Sequence, residues 1–157
     1  MVMLYSGAMK RPSDLHITVR ALIVHDNQLF MVKHAPDSPY FALPGGGLET
    51  GEDITVAVAR ELREELNMDA EVGRLLIVND WLNPDQHYLE FFFWIKNAAD
   101  FRQADRHAAT HGKELSAAEF GDPTDKDLVL LPPFLKTEFP DIARLGNDYP
   151  TRVFRST

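Results

Sequence analysis

Two periods run along the chain. From His16 to Val24 and again from Leu29 to Lys33, apolar and polar residues alternate, with Val19, Ala21, Ile23, Leu29 and Met31 set against their neighbours. That alternation predicts half-buried strands, and His25-Asp26-Asn27-Gln28 between them predicts a hairpin turn. The loop His34 to Tyr40, carrying two prolines, leads to a short strand Phe41 to Leu43 and then to Pro44-Gly45-Gly46-Gly47. Over Gly51 to Leu66 the period lengthens: Ile54, Val58, Leu62 and Leu66 recur at helical spacing, with Ala57 on the margin of the stripe. Thr50 and Asp53 form a near capping box at the start of this helix, and Asn67 supplies a left-handed stop at its end.

Beyond the helix, Val72 to Trp81 and His87 to Lys96 read as strands joined by the turn Asn83-Pro84-Asp85-Gln86. The run Leu89 to Ile95 is too apolar for a half-exposed strand, so both of its faces are expected to be covered. Asn97 to Asp127 is polar and without strong period, long enough to predict a lid or mobile insertion, with a helical turn over Lys113 to Phe120. After the apolar run Leu128 to Leu131, Pro132-Pro133 predicts a helix through Lys136. Pro140 predicts the first turn of another, closed by Gly146. The tail Asn147 to Thr157 is expected to be loose or to pair with a partner subunit. Strands in several pieces, with one central and one C-terminal helix, predict an α/β fold: a mixed sheet with helices on both faces, in a single domain over residues 1–157.

Composition narrows the function classes. The chain has no cysteine, which removes a disulfide framework, a thiolate metal site and a thiol nucleophile. Its net charge of −8 disfavours sequence-independent binding of nucleic-acid polymers. No run of eighteen apolar residues predicts a membrane span, and Met1 to Lys10 lacks the order of a signal peptide, so a cytoplasmic protein is expected.

The helix carries the chemistry. Glu61, Glu64 and Glu65 converge on one side of it, at the border of the apolar stripe. Glu61 and Glu65 repel as an i,i+4 pair, and all three lie in the C-terminal half, where the helix dipole favours cations. A hard divalent ion, Mg²⁺ or Mn²⁺, compensates such a cluster best. Pro44 to Gly47 can bring main-chain oxygens beside the acids and main-chain N–H groups beside a phosphate. Glu90, inside the Leu89 to Ile95 run, is expected either near water at the strand end or facing the metal site.

These residues resemble the signature of the Nudix hydrolases. Gly46 is followed at the family's spacing by Glu52, Arg60-Glu61-Leu62, Glu64-Glu65 and Met68, and the motif covers residues 46–68. Asn67 stands where the family has glycine, a position that needs a helix stop rather than a chemical group. The resemblance implies an α/β/α sandwich with substrate lying across the strand ends. The site is then suited to hydrolysing a diphosphate bond in a nucleotide sugar, a dinucleoside polyphosphate or a nucleoside triphosphate, with Glu61, Glu64, Glu65 and the Gly45 carbonyl holding the metal. Glu64 and Glu61 are the candidate catalytic groups. Gly46, Glu52 and Arg60 are structural, with Arg60 pairing Glu52 to brace the loop. A further carboxylate from outside the motif is implied, with Glu90, Glu114 and Glu119 as candidates, and a homodimer is common in the family. The alternative is a catalytically silent nucleotide-binding or sensor module. A diphosphate isomerase of the same fold is expected to use a cysteine. Trp81, Tyr88 and Trp94 are candidates to stack on a base. His34, and the i,i+4 pair His107 and His111, read as solvated histidines.

Overall fold

The computed structural model describes residues 14–157, so the Met1 to Lys10 stretch lies outside the described residues. Eight strands and two α-helices follow in order: β1 Leu15–Leu22, β2 Val24–His25, β3 Gln28–Lys33, β4 Gly45–Gly47, α1 Ile54–Leu66, β5 Val72–Leu82, β6 His87–Ile95, β7 Ala117–Gly121, α2 Phe134–Leu145 and β8 Arg152–Ser156. The main sheet has the order β4-β1-β6-β5-β8 and is mixed: β1/β6 and β5/β8 are parallel, β1/β4 and β5/β6 antiparallel. A second sheet, β2-β3-β7, is antiparallel.

The alternation in β1 and β6 sorts the core into two layers. Ala21 and Phe93 point to α1 and pack with Ala57, Val58, Leu62 and Leu66. Their neighbours Leu22 and Phe92 point the other way and pack with Leu135, Phe139 and Ile142 of α2. The α/β fold with helices on both faces, expected from the sequence, is present.

The hairpin is present too, but it is shorter than the sequence suggested. Asp26 and Asn27 both take positive φ (49° and 56°), the turn that matches strand twist, and they join β2 to β3 rather than β1 to β3. The chain passes from the main sheet to the small one between Leu22 and Val24. The glycines are not a turn after a strand. Gly45–Gly47 are themselves a strand on β1, while Phe41 and Ala42 make only isolated bridges to Leu130 and Val32.

Helix α1 begins at Ile54, three residues later than expected, because Gly51 sits at φ +83° and cannot be helical. Asp53 alone is the cap, accepting from the Thr55 N–H at 2.8 Å. Asn67 ends the helix at φ 53°, ψ 40°, its N–H donating back to the Arg63 carbonyl. Asn67→Gly removes the residual left-handed strain. It is expected to raise stability by a few tenths to about 1 kcal/mol, read as a higher Tm.

Four expectations for the second half of the chain are corrected in whole or in part. The helical turn expected over Lys113 to Phe120 is confined to a 3₁₀ turn at Gly112–Glu114, and Ala117–Gly121 are instead β7, paired with β3. The Asn97 to Asp127 segment is therefore no structureless insertion, and backbone bonds from Asp105 to Leu66 and from His111 to Glu64 tie it to the end of α1. Pro132 and Pro140 do not start separate helices. One helix runs through Pro140, whose missing N–H is offset by the buried stripe Leu135, Phe139 and Ile142, and Gly146 closes it as expected. The tail is not loose, because Arg152–Ser156 adds to β5 of the same chain as an edge strand. Among the described residues no helix is long and apolar enough to cross a membrane.

Candidate active site

Strand β4 presses against the inner side of α1. Gly45, at φ +140°, lies so close to β1 that a Cβ there would stand 2.0 Å from the Val19 carbonyl oxygen, so no other residue fits. Its N–H donates to Glu65 Oε2 at 3.0 Å. Gly46 faces Glu61, whose carboxylate would meet an added Cβ at 2.6 Å. Gly46→Ala therefore pushes a flexible side chain aside rather than backbone. Stability is expected to change by under about 1 kcal/mol, while turnover falls roughly ten- to a hundredfold as Glu61 is displaced. Thermal melts and steady-state kinetics on the same preparation separate the two effects.

Arg60 organises the acids. Its Nε and Nη2 grip the two oxygens of Glu52 at 2.7 and 3.0 Å, and Nη2 also donates to the Gly47 carbonyl at 3.0 Å. Nη1 donates to Glu61 Oε1 at 2.9 Å and to Glu64 Oε2 at 3.0 Å. The fork thus ties the loop to the helix and draws Glu61 and Glu64 to one nitrogen. Hydrogen bonding from Arg60 holds the Glu52 carboxyl below its usual range, and the same partners push the Arg60 guanidinium pKa up.

The three helix acids differ in environment. Glu65 is 4% exposed, and burial lifts its carboxyl to about 7 despite the Gly45 N–H and the field of Arg20. Burial also raises Glu61, with Arg60 opposing. Glu64 is the most open of the three and touches His111, whose Nδ1 lies 3.2 Å from Oε2.

Among the described residues no three His, Asp or Glu side chains stand ready-made as a ligand set, because Glu61 and Glu64 turn onto Arg60. The donors nevertheless fit a hard cation. They are carboxylate oxygens from one helix, and the innermost is buried beside another acid, with a hydrogen bond from Gly45 in place of a touching countercharge.

A cavity of about 490 Å³ opens on the face of the main sheet opposite α1, lined by Arg20, His34, Trp81, Tyr88, Glu90 and Ser156 among others. Arg20 joins it to the acids: Nη1 donates to the Gly45 carbonyl at 3.3 Å and Nε lies 3.5 Å from Glu90 Oε1. His34 is an exposed loop residue, as read from the sequence, and also borders this cavity, where desolvation and Arg20 hold its imidazole below the usual range. Trp81 and Tyr88 line it as well. Trp94 instead lies against Gly146 at the end of α2.

Of the outlying acids, Glu90 is paired with Arg20 and Asn79. Glu114 acts through space on Glu65 and His34. Glu119 is exposed on β7 opposite Met31. Sequence reasoning missed Arg20, Asn79 and the contact of His111 with Glu64. A charged residue between Val19 and Ala21 was the available signal for Arg20, while His111 reaches Glu64 only through the tertiary fold.

Residues 14–136 match the family model described as the NUDIX domain. Over 72 residues the chain is 38% identical to an ADP-ribose pyrophosphatase of Methanocaldococcus jannaschii, covering 45% of this chain and 41% of that protein. Over 84 residues it is 31% identical to an 8-oxo-dGTP diphosphatase of Escherichia coli, covering 52% and 64%. Both matches span less than two thirds of the relative's length. The fold is similar to a crystal structure of a NUDIX hydrolase from Nitrosomonas europaea, with a TM-score of 0.65 at 19% identity over 89% of this chain and 77% of that one.

Proposed function

The chain belongs to the NUDIX family, and from that premise we propose that it hydrolyses a diphosphate bond in a small nucleotide with a divalent cation, Mg²⁺ or Mn²⁺, as cofactor. The observation that carries this reading is the gathering of Glu61, Glu64 and Glu65 against the Gly45–Gly47 strand, with Arg20 linking that strand to a cavity large enough for a nucleoside on the other face of the sheet. The relatives named as pyrophosphatase and diphosphatase support the reaction class.

Glu61, Glu64 and Glu65, with the Gly45 carbonyl, are the residues to hold the cation. When bound, it neutralises phosphate oxygens and makes water a better nucleophile at neutral pH. The chain's own residues do the rest. Arg60 keeps Glu61 and Glu64 together, with Glu52 holding the guanidinium from the far side. The Gly45 N–H fixes Glu65. Glu64 Oε2 is held by Arg60 and His111, which leaves Oε1 as the oxygen facing the cation and its water, so Glu64 is the least firmly committed of the three to the cation and the one to take the proton of an attacking water. Arg20 is placed to meet a phosphate between the acids and the cavity.

Incubation with nucleotide sugars, dinucleoside polyphosphates and nucleoside triphosphates in the presence of Mg²⁺ tests the proposal. Release of a nucleoside monophosphate from at least one class is the expected result. Tight nucleotide binding with no turnover of any class points instead to a silent binding module.

A further inference from the structure

Glu90 stands on β6, the middle strand of the main sheet, in a run otherwise made of Leu, Phe, Trp and Ile. Strand register sets it in a row with Thr18 of β1 and Asn79 of β5, and the next row places Tyr88 beside Trp81. The two flanking strands each take one oxygen of the carboxylate. Asn79 Nδ2 donates to Oε2 at 2.9 Å, and Arg20 Nε approaches Oε1 at 3.5 Å. Asn79 is itself fixed, 1% exposed and accepting from Ser156 Oγ at 2.9 Å. A carboxylate held from both sides keeps the lone pairs of its front edge, and this one lines the cavity.

A buried ion pair adds little stability over a well-packed apolar pair, and an apolar residue would continue the run more simply. The acid therefore needs a use. Tyr88 and Trp81, with ring centroids 5.2 Å apart, give the cavity flat aromatic walls one row away. A heteroaromatic ring can lie against those walls with an N–H edge turned to Glu90.

Resting on the nucleotide reading above, we propose that Glu90 reads the base of the substrate and that this base is guanine. Guanine alone among the common bases offers two adjacent N–H donors, N1–H and N2–H, on one edge, matching the two oxygens of a carboxylate. Adenine and cytosine set an amino donor beside a ring-nitrogen acceptor, which turns a lone pair onto the acid. Uracil sets one N–H between two carbonyls. Asn79 and Ser156 are positioning residues that aim the acid.

Calorimetric titration of the full chain with GMP, IMP, AMP, CMP and UMP in EDTA reads base preference without turnover. GMP is expected to bind at least about tenfold more tightly than AMP, CMP or UMP, with IMP between them because it lacks the 2-amino group. Glu90→Gln, of the same shape, is expected to bring GMP within about threefold of the others, whereas Trp81→Ala weakens all five together. GMP no tighter than AMP, IMP equal to GMP, or a preference unchanged in Glu90→Gln overturns the proposal. The wild-type GMP to IMP ratio stands without any variant. Turnover assays with Mg²⁺ separate the two levels: hydrolysis regardless of base removes the guanine assignment alone, and hydrolysis of nothing removes the reaction on which it rests.

Discussion

Glu64→Gln is expected to lower kcat by about two to four orders of magnitude with little change in KM, the loss typical of removing a general base. The amide keeps the shape of the side chain and one oxygen for Arg60 Nη1, so the fork that gathers the helix acids survives. What it loses is the second oxygen that accepts a proton from water. Glu64 is also the most solvent-open of the three acids, as a group that exchanges protons with bulk water must be. Single-turnover kinetics with Mg²⁺ in excess check this. A kcat within threefold of wild type would pass the proton to another acid, and Glu114, whose field already reaches Glu65, is the first to try.

The second large effect is in pH. Burial holds the Glu65 carboxyl at about 7 against an ordinary 4.5, so the folded chain binds this proton more tightly than the unfolded chain does. The contribution to stability is complete below about pH 4.5 and is lost as pH rises through 7, for a total of about 3 kcal/mol. In EDTA, Tm is therefore expected to fall by about 6–12 °C between pH 5 and pH 8. Mg²⁺ at pH 8 should recover much of it, since a cation binds the deprotonated acid. Glu65→Gln keeps an acceptor for the Gly45 N–H and cannot ionise. It should melt higher than wild type at pH 8 without metal, show a flatter pH profile, and gain less from Mg²⁺. Glu61, also raised by burial, tilts wild type in the same direction, so the difference between wild type and variant isolates Glu65. Equal slopes in the two proteins would falsify this account of Glu65.

Local signals carried the sequence reading where one residue decides one conformation. Asn67 marks a helix stop by its own tolerance of positive φ, and the unbroken apolar run Leu89 to Ile95, interrupted only by Glu90, follows from one face meeting α1 and the other α2. Tertiary placement was out of reach. Arg152 to Ser156 alternates too weakly to announce a strand, since its outer face stays wet and its pairing with β5 is set by the sheet edge. Glu90 stood out as a charge in an apolar run, but its partners Arg20 and Asn79 come from strands placed on either side by the fold. The three helix acids were legible because helical spacing fixes their relation. That Arg60 spans Glu52, Glu61 and Glu64 at once depends on where the loop returns.

The parallel pairings β1/β6 and β5/β8 join segments roughly seventy residues apart in sequence, and loops of that size close slowly. On the ribosome, β1 can meet β4 early, but its long parallel partner β6 emerges only later, and the side of that strand bearing Phe92 and Trp94 stays uncovered until α2 follows. Expression yield should therefore respond to chaperone supply and growth temperature more steeply than the equilibrium stability of the finished protein would suggest.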